Sequence, residues 1–460
     1  MMEAWLAAAL DYIPRWLEFQ HRAMELPGLS FAVAKDGEVV LEGALGAADL
    51  DTGEAFTPRH RFRVASHSKT FTAAGIMRLR EQGRLGLDDE AGRHVPGLHP
   101  EVATTTLRQL LSHGAGIIRN GPDPGHFSDL RPYPDAAEIR ADLAAPPVIP
   151  AETRFKYSNH GFALLGQVIE AVTGETYDDW MAREILAPFG LSETRPDAPI
   201  PAGAPFARGH TTKMPLDRRL VIPGDNPTRA YAAAAGFVST AADLARFFGR
   251  LSPEATDSPL SVASRRAMAH RQWRNPHSFF EVYYGLGTIC GTLNGWDWFG
   301  HSGSLQGYSS RTAVVPDAGL SASFLVNAVA APADPILDGL LHILRLYAMR
   351  GAPEEATRDW TGRWWNLWGA FDLLPVRDRV LIALPGFWNP VGEVAEIAVE
   401  APDRGRIVQT NGFGSQGEPV ELVRGPDGAV SAVTLAGGLA LPEAEHAAAL
   451  RDRYRHPGTA

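Results

Sequence analysis

Ser66 and Lys69 stand three residues apart in the stretch Val64-Ala65-Ser66-His67-Ser68-Lys69-Thr70-Phe71-Thr72-Ala73-Ala74-Gly75-Ile76-Met77. On a helix that spacing puts both side chains on one face, so a hydroxyl and an amine share a pocket. A serine hydroxyl is a weak nucleophile at neutral pH, and an adjacent base, lysine included, is the usual remedy. Burial lowers a lysine pKa from its reference of about 10.4, because desolvation disfavours the charged form. The positive end of a helix dipole works in the same direction and favours a developing oxyanion. S-x-x-K is short enough to arise by accident. Here, however, lysine occurs only at Lys35, Lys69, Lys156 and Lys213. The segment that follows is rich in Ala, Ile, Met and Leu, where a lysine is costly to bury without a purpose.

At 460 residues the chain is longer than one hydrophobic core usually serves, so two domains are expected. Net charge is −10 with acidic residues spread along the chain and no basic stripe, which argues against nucleic acid or an anionic membrane as partner. Cys290 is the single cysteine, so no internal disulfide and no cysteine-based zinc cluster can form. With no HExxH and scattered histidines, no metal or other cofactor is expected. Met1 to Leu10 lacks the basic and long apolar regions of a signal peptide, and no 18-residue apolar run occurs; the chain reads as cytoplasmic.

The elements that must carry the serine follow from periodicity. Residues 3 to 25 show a helical repeat, and 29 to 34 and 38 to 45 read as strands joined by Asp36-Gly37, a tight-turn pair. Residues 118 to 149 are dense in Pro, Gly, Asp and His and read as a loop, one that shapes a substrate cleft or is a plain surface excursion, and 195 to 231 are again Pro-rich and loop-like. Gly161 to Val172 is a helix stopped by Gly174, and Thr240 with Asp243 opens another. Strands are expected at 283 to 290, 296 to 300, 310 to 315 and 321 to 327, then a closing helix at 336 to 349. Past Arg350 the texture changes to short alternating segments, with strands at 380 to 384, 396 to 400, 420 to 424 and 429 to 435, and Trp360, Trp364, Trp365 and Trp368 as a core or seam. The fold class is therefore α+β, an antiparallel sheet flanked by helices, with domains at 1–350 and 359–460 joined by a linker at 351–358.

Three stretches in order resemble the serine β-lactamase and penicillin-binding-protein superfamily, in its class C-like branch of esterases and D-amino-acid peptidases. They are Ser66-His67-Ser68-Lys69 for S-x-x-K, Tyr157-Ser158-Asn159 for Y-x-N, and His301-Ser302-Gly303 at the place of K-T-G. The resemblance spans roughly residues 5 to 345, and the tail is similar to the lipocalin-like β-barrels that some members carry. It implies a β-lactamase-like fold with an all-helical subregion. It implies Ser66 as acylated nucleophile, with Lys69 and Tyr157 sharing base and proton-relay work in an order left open. It further implies that Asn159 orients Lys69 and the substrate, that His301 lines the pocket beside Gly303, and that the backbone N–H groups of Ser66 and Ser304 form the oxyanion hole. His301 replaces the usual lysine and is mostly neutral at pH 7, which argues against β-lactams as the true substrate. Gly114-Ala115-Gly116 also departs from the common T-S-G.

The function expected is a serine hydrolase acting through an acyl-enzyme on amide, peptide or ester bonds of a small molecule or short peptide. Acyl transfer to another acceptor and a non-catalytic binding protein of the same fold stay open as alternatives, as does homo-oligomerisation. An α/β-hydrolase is set aside, since no intact G-x-S-x-G occurs.

Overall fold

The structure, a computed structural model, describes residues 2–276, 278 and 281–454. Two compact units emerge, Leu26–Leu337 and a second made of Met1–Glu25 with Asp338–Ala460. The α+β class, a large antiparallel sheet flanked by helices and followed by a β-barrel, is the one expected.

The larger unit is built on nine strands: β1 (Gly28–Lys35), β2 (Glu38–Asp49), β3 (Glu54–Ala55), β4 (Trp273–Arg274), β5 (Val282–Tyr284), β6 (Ile289–Leu293), β7 (Trp296–Leu305), β8 (Tyr308–Val315) and β9 (Leu320–Val326). Their order is β3-β2-β1-β9-β8-β7-β6-β5-β4, so the first strands of the unit pair with its last, Leu29 opposite Val326. Asp36 and Gly37 both take positive φ, as the tight turn between β1 and β2 requires. β8 and β9 are buried along their whole length.

Two strand expectations change in ways that matter for the site. Residues 283 to 290 are not one strand: β5 and β6 are separated by a turn in which Gly287 has φ +72° and a side chain would strike Ala73 and the Lys69 carbonyl. β7 does not stop at Gly300 but runs on to Leu305. The β6 pairing ends with Ile289 opposite Gly300, so 301–305 pair only with β8.

Three helices frame the nucleophile: α1 (Ser68–Glu81), preceded by a single tight turn at Ala65–His67; α2 (Asn159–Thr173); and α3 (Ala241–Arg250), which lies against β1 and β9. Ser158 caps α2 by accepting from Gly161 N at 2.9 Å, and Gly174 ends it at φ +75°. The stretch expected as loop at 118–149 contains a helix, Ala136–Asp142, opened by a capping box of Asp135 and Glu138 and too short for a clear period.

In the smaller unit, eight strands follow one another as a meander: Gly362–Asn366, Gly369–Val376, Arg379–Ala383, Ala395–Ala401, Arg404–Gln409, Pro419–Arg424, Val430–Leu435 and Gly438–Ala440. Paired backbone bonds between Trp365 and Leu441, 2.8 and 2.9 Å, bring the two ends together as a barrel. Trp360 and Trp364 fill its core with Phe371, Val380, Ile397 and Val420, whereas Trp368 is 94% exposed. The N-terminal helix Ala4–Ala23 belongs to this unit: Tyr12 Oη donates to Asp372 at 2.8 Å and Gln20 Nε2 to the Pro385 carbonyl at 2.5 Å. Among the described residues no helix is long and apolar enough to cross a membrane.

Candidate active site

From Phe62 to Met77 every residue is buried except Ser66, which is half-exposed. Ala65 before it has φ +50°, a conformation that costs an alanine energy and that turns the chain from Val64 into the helix with Ser66 at the bend. Beneath the serine, α1 buries a polar stripe, and each member has a partner. Ser68 Oγ donates to the Ala65 carbonyl (2.6 Å) and accepts from Phe237 N (3.0 Å), Thr70 donates to the Gly287 carbonyl (2.6 Å) and Thr72 to the Ala233 carbonyl (2.6 Å). The helix is thereby tied to the segment 233–237 on one side and to the β5–β6 turn on the other.

Lys69 is fully buried, its Nζ 3.1 Å from Ser66 Oγ, 2.7 Å from Asn159 Oδ1 and 2.7 Å from the Ala234 carbonyl. Burial, and then the Arg119 charge, hold its pKa well below the ordinary lysine range. A neutral amine has two N–H bonds and one lone pair. Asn159 Oδ1 and the Ala234 carbonyl only accept, so in the neutral form the two N–H bonds go to them and the lone pair faces the Ser66 proton. Asn159 is itself fixed, its Nδ2 donating to Asn120 Oδ1 at 2.7 Å.

Tyr157 contacts Ser66 from the other side through its hydroxyl, and burial pushes its pKa up against the opposing effects of that hydrogen bond and of Arg119. Burial thus raises the pKa of the phenol and lowers that of the amine beside it. The Tyr157 ring lies over Lys69 Nζ, 4.7 Å from the ring centre, and 4.1 Å from the ring of His113. His113 bonds to the backbone on either side of Tyr157: its carbonyl accepts from Lys156 N at 2.9 Å and its Nδ1 from Ser158 N at 3.1 Å.

β7 supplies the facing wall. His301 is buried, and its Nδ1–H donates to the Ser302 carbonyl (2.6 Å) while Nε2 accepts from Tyr284 Oη (3.0 Å). Burial keeps its pKa well below the usual histidine value, so this wall carries no cation. His67, also buried, is lowered to about 4 for the same reason and donates to the Val64 carbonyl at 2.9 Å. Gly303 is required where it stands, because a side chain would overlap the Val64 carbonyl and Ser310 Oγ. This close approach sets the Ser304 backbone beside the Ser66 turn. Gly114 has a comparable reason: a side chain there would press on the Trp273 ring at 3.1 Å and on Glu152.

Ser66, Tyr157, Asn159, His301, Gly303 and Ser304 all line one cleft of about 780 Å³, with Lys69 behind its wall. Five contributors carried no signal as site residues in sequence. The Ala234 carbonyl is a backbone group and has no residue-type signature. His113 and Tyr284 look like ordinary apolar-segment aromatics, and Arg119 with Asn120 sits in a Gly- and Pro-rich stretch. Among the described residues no three His, Cys, Asp or Glu side chains gather as a metal site.

A β-lactamase family profile matches residues 18–345. Penicillin-binding protein 4 of Amycolatopsis lactamdurans is 31% identical over 318 residues, 66% of this chain and 81% of that protein. Among solved structures, an octameric penicillin-binding-protein homologue from Pyrococcus abyssi is similar in fold, with TM-score 0.65 and 23% identity over 94% of this chain and 99% of that one. A D-stereospecific amidohydrolase from Streptomyces sp. aligns with TM-score 0.58 and 26% identity over 70% of this chain and 94% of its own.

Proposed function

Because the chain belongs to the β-lactamase family of penicillin-binding-protein-like serine hydrolases, we propose that it cleaves amide or ester bonds of small substrates through an acyl-enzyme on Ser66. In the proposed acylation, Ser66 Oγ bonds to the substrate carbonyl carbon as its proton passes to Lys69 Nζ. The oxyanion is held by the backbone N–H groups of Ser66 and Ser304. The bond to the leaving nitrogen or oxygen then breaks as Tyr157 gives that atom its phenolic proton, which the Lys69 ammonium replaces. Water reverses these roles to release the acid. Asn159 keeps Lys69 aimed and offers its carboxamide to the substrate. Residues 1–350 are proposed as the hydrolase domain, with 351–358 as linker and 359–460 as the appended β domain.

The observation that carries this reading is the set of three partners around Lys69 Nζ, two of which can only accept. A structural lysine would be satisfied by carbonyls alone; here the third neighbour is the single half-exposed hydroxyl of the segment. The likeness to a D-stereospecific amidohydrolase makes amides of D-amino acids the first substrates to try, beside simple esters. His301, with both ring nitrogens engaged and no charge, offers no cation to a substrate carboxylate on the β7 wall. Treatment with a fluorophosphonate probe and mass spectrometry tests it. A single adduct on Ser66, lost in Ser66→Ala, is expected, and an unlabelled protein overturns the reading.

A further inference from the structure

Arg119 enters the cleft from a backbone that is itself pinned, its carbonyl accepting from Asn159 N at 2.9 Å and His160 N at 3.1 Å. The side chain is exposed, and its guanidinium lies over Tyr157, 5.6 Å from the ring centre. No carboxylate among the described residues pairs with it. The other charged group lining the cleft, Asp334, is matched by Arg311 at 2.9 Å. With His301 neutral and Lys69 held below its ordinary pKa, the cleft presents one uncompensated positive charge on a chain whose net charge is −10.

A guanidinium left unpaired beside a reactive hydroxyl is a recognition element for a planar anion. Lys69 and Arg119 flank the same ring, 4.7 and 5.6 Å from its centre, so a carboxylate a few bonds from the scissile carbonyl reaches the guanidinium while the carbonyl sits at Ser66. We infer that Arg119 is a specificity residue that selects amides or esters bearing a free carboxylate close to the bond cleaved. The inference rests on the acyl-enzyme reading of Ser66. It assigns the cation of this cleft to the loop before α2 rather than to β7, where His301 stands. The carboxylate can belong to the acyl part or to the leaving part, and two substrate pairs separate these cases.

Mono-p-nitrophenyl glutarate and its methyl ester differ only by a charge on the acyl side. Hippuryl thioglycolate and its methyl ester differ by one on the leaving side. Acylation of Ser66 is read by pre-steady-state release of p-nitrophenolate or thiol and by the mass added. In at least one pair the acid is expected to acylate about tenfold faster in kcat/KM at low ionic strength, through KM, with the ratio shrinking as salt rises. Arg119→Gln brings that ratio to about one and Arg119→Lys keeps part of it, whereas a residue that merely propped Tyr157 would change acid and ester alike. Equal constants within both pairs, or a preference that survives Arg119→Gln, overturn the inference and leave the acyl-enzyme reading standing. No acylation of Ser66 by any of the four overturns both.

Discussion

Replacing Lys69 by Met separates a base from a structural lysine, because the two make opposite changes in activity and stability. Burying a lysine with its pKa held well below the reference of about 10.4 costs stability at pH 7 relative to the unfolded chain. Met removes that cost and fills nearly the same volume. Against this, Asn159 Oδ1 and the Ala234 carbonyl lose a donor at 2.7 Å each, at about 1–3 kcal/mol apiece. The two effects oppose each other, so Lys69→Met is expected to stay folded and to melt within a few degrees of the parent at pH 7. Loss of a general base slows acylation by about 10²–10⁴. The stability comparison has a pH signature as well. The unfolded state binds more protons at Lys69 between its depressed folded value and about 10.4, so this residue makes stability rise with pH across that window. The variant lacks that slope. Burst kinetics with a p-nitrophenyl ester and thermal melts at pH 7 and pH 9 check both parts. A variant that acylates at the parent rate, or one that unfolds at pH 7 with acylation intact in the folded fraction, refutes the assignment of Lys69 as base.

Three further outcomes follow from the same geometry. The acid limb of kcat/KM reports Lys69 losing its proton, activity falling as pH drops through its depressed value. Arg119→Gln, by removing one of the two causes of that depression, moves the limb to higher pH, and an unmoved limb in a pH–rate profile would place the titrating group elsewhere. Gly303→Ala forces β7 away from the Val64 carbonyl and with it the Ser304 N–H. Acylation should slow by about 10²–10³, and an unchanged burst rate would remove that N–H from the oxyanion hole. A chain ending at residue 350 leaves the buried Tyr12 Oη and Gln20 Nε2 without Asp372 and the Pro385 carbonyl, at about 1–3 kcal/mol each, so a melting temperature several degrees lower is expected; an identical melt would show that the N-terminal helix does not need the barrel.

The three motifs were legible because each is made of residue types whose chemistry is unusual for their surroundings: a lysine in an apolar helix, a tyrosine and asparagine at a helix start, a histidine and glycine in a strand. What completes them was not. The Ala234 carbonyl has no side chain to signal it, and Arg119 becomes meaningful only once α2 folds back over its backbone. β7 continues through Gly300 and Gly303, residue types that ordinarily weaken a strand, because both are glycines imposed by close backbone approach, Gly300 against Thr312 and Gly303 against Val64. Half of the barrel strands escaped for a similar reason. Gly362–Asn366 and Gly369–Val376 carry their aromatic residues in a cluster rather than in alternation, and Gly438–Ala440 is too short to show a period.

The central claim is that Ser66 carries the acyl group and Lys69 takes its proton. Intact-protein and peptide mass spectrometry during turnover of a slow amide or ester substrate measures it directly. The account predicts an adduct equal in mass to the acyl moiety, located on Ser66, formed quickly in the parent, slowly in Lys69→Met and never in Ser66→Ala. Turnover without an adduct in the parent, or with Ser66 replaced, would contradict it.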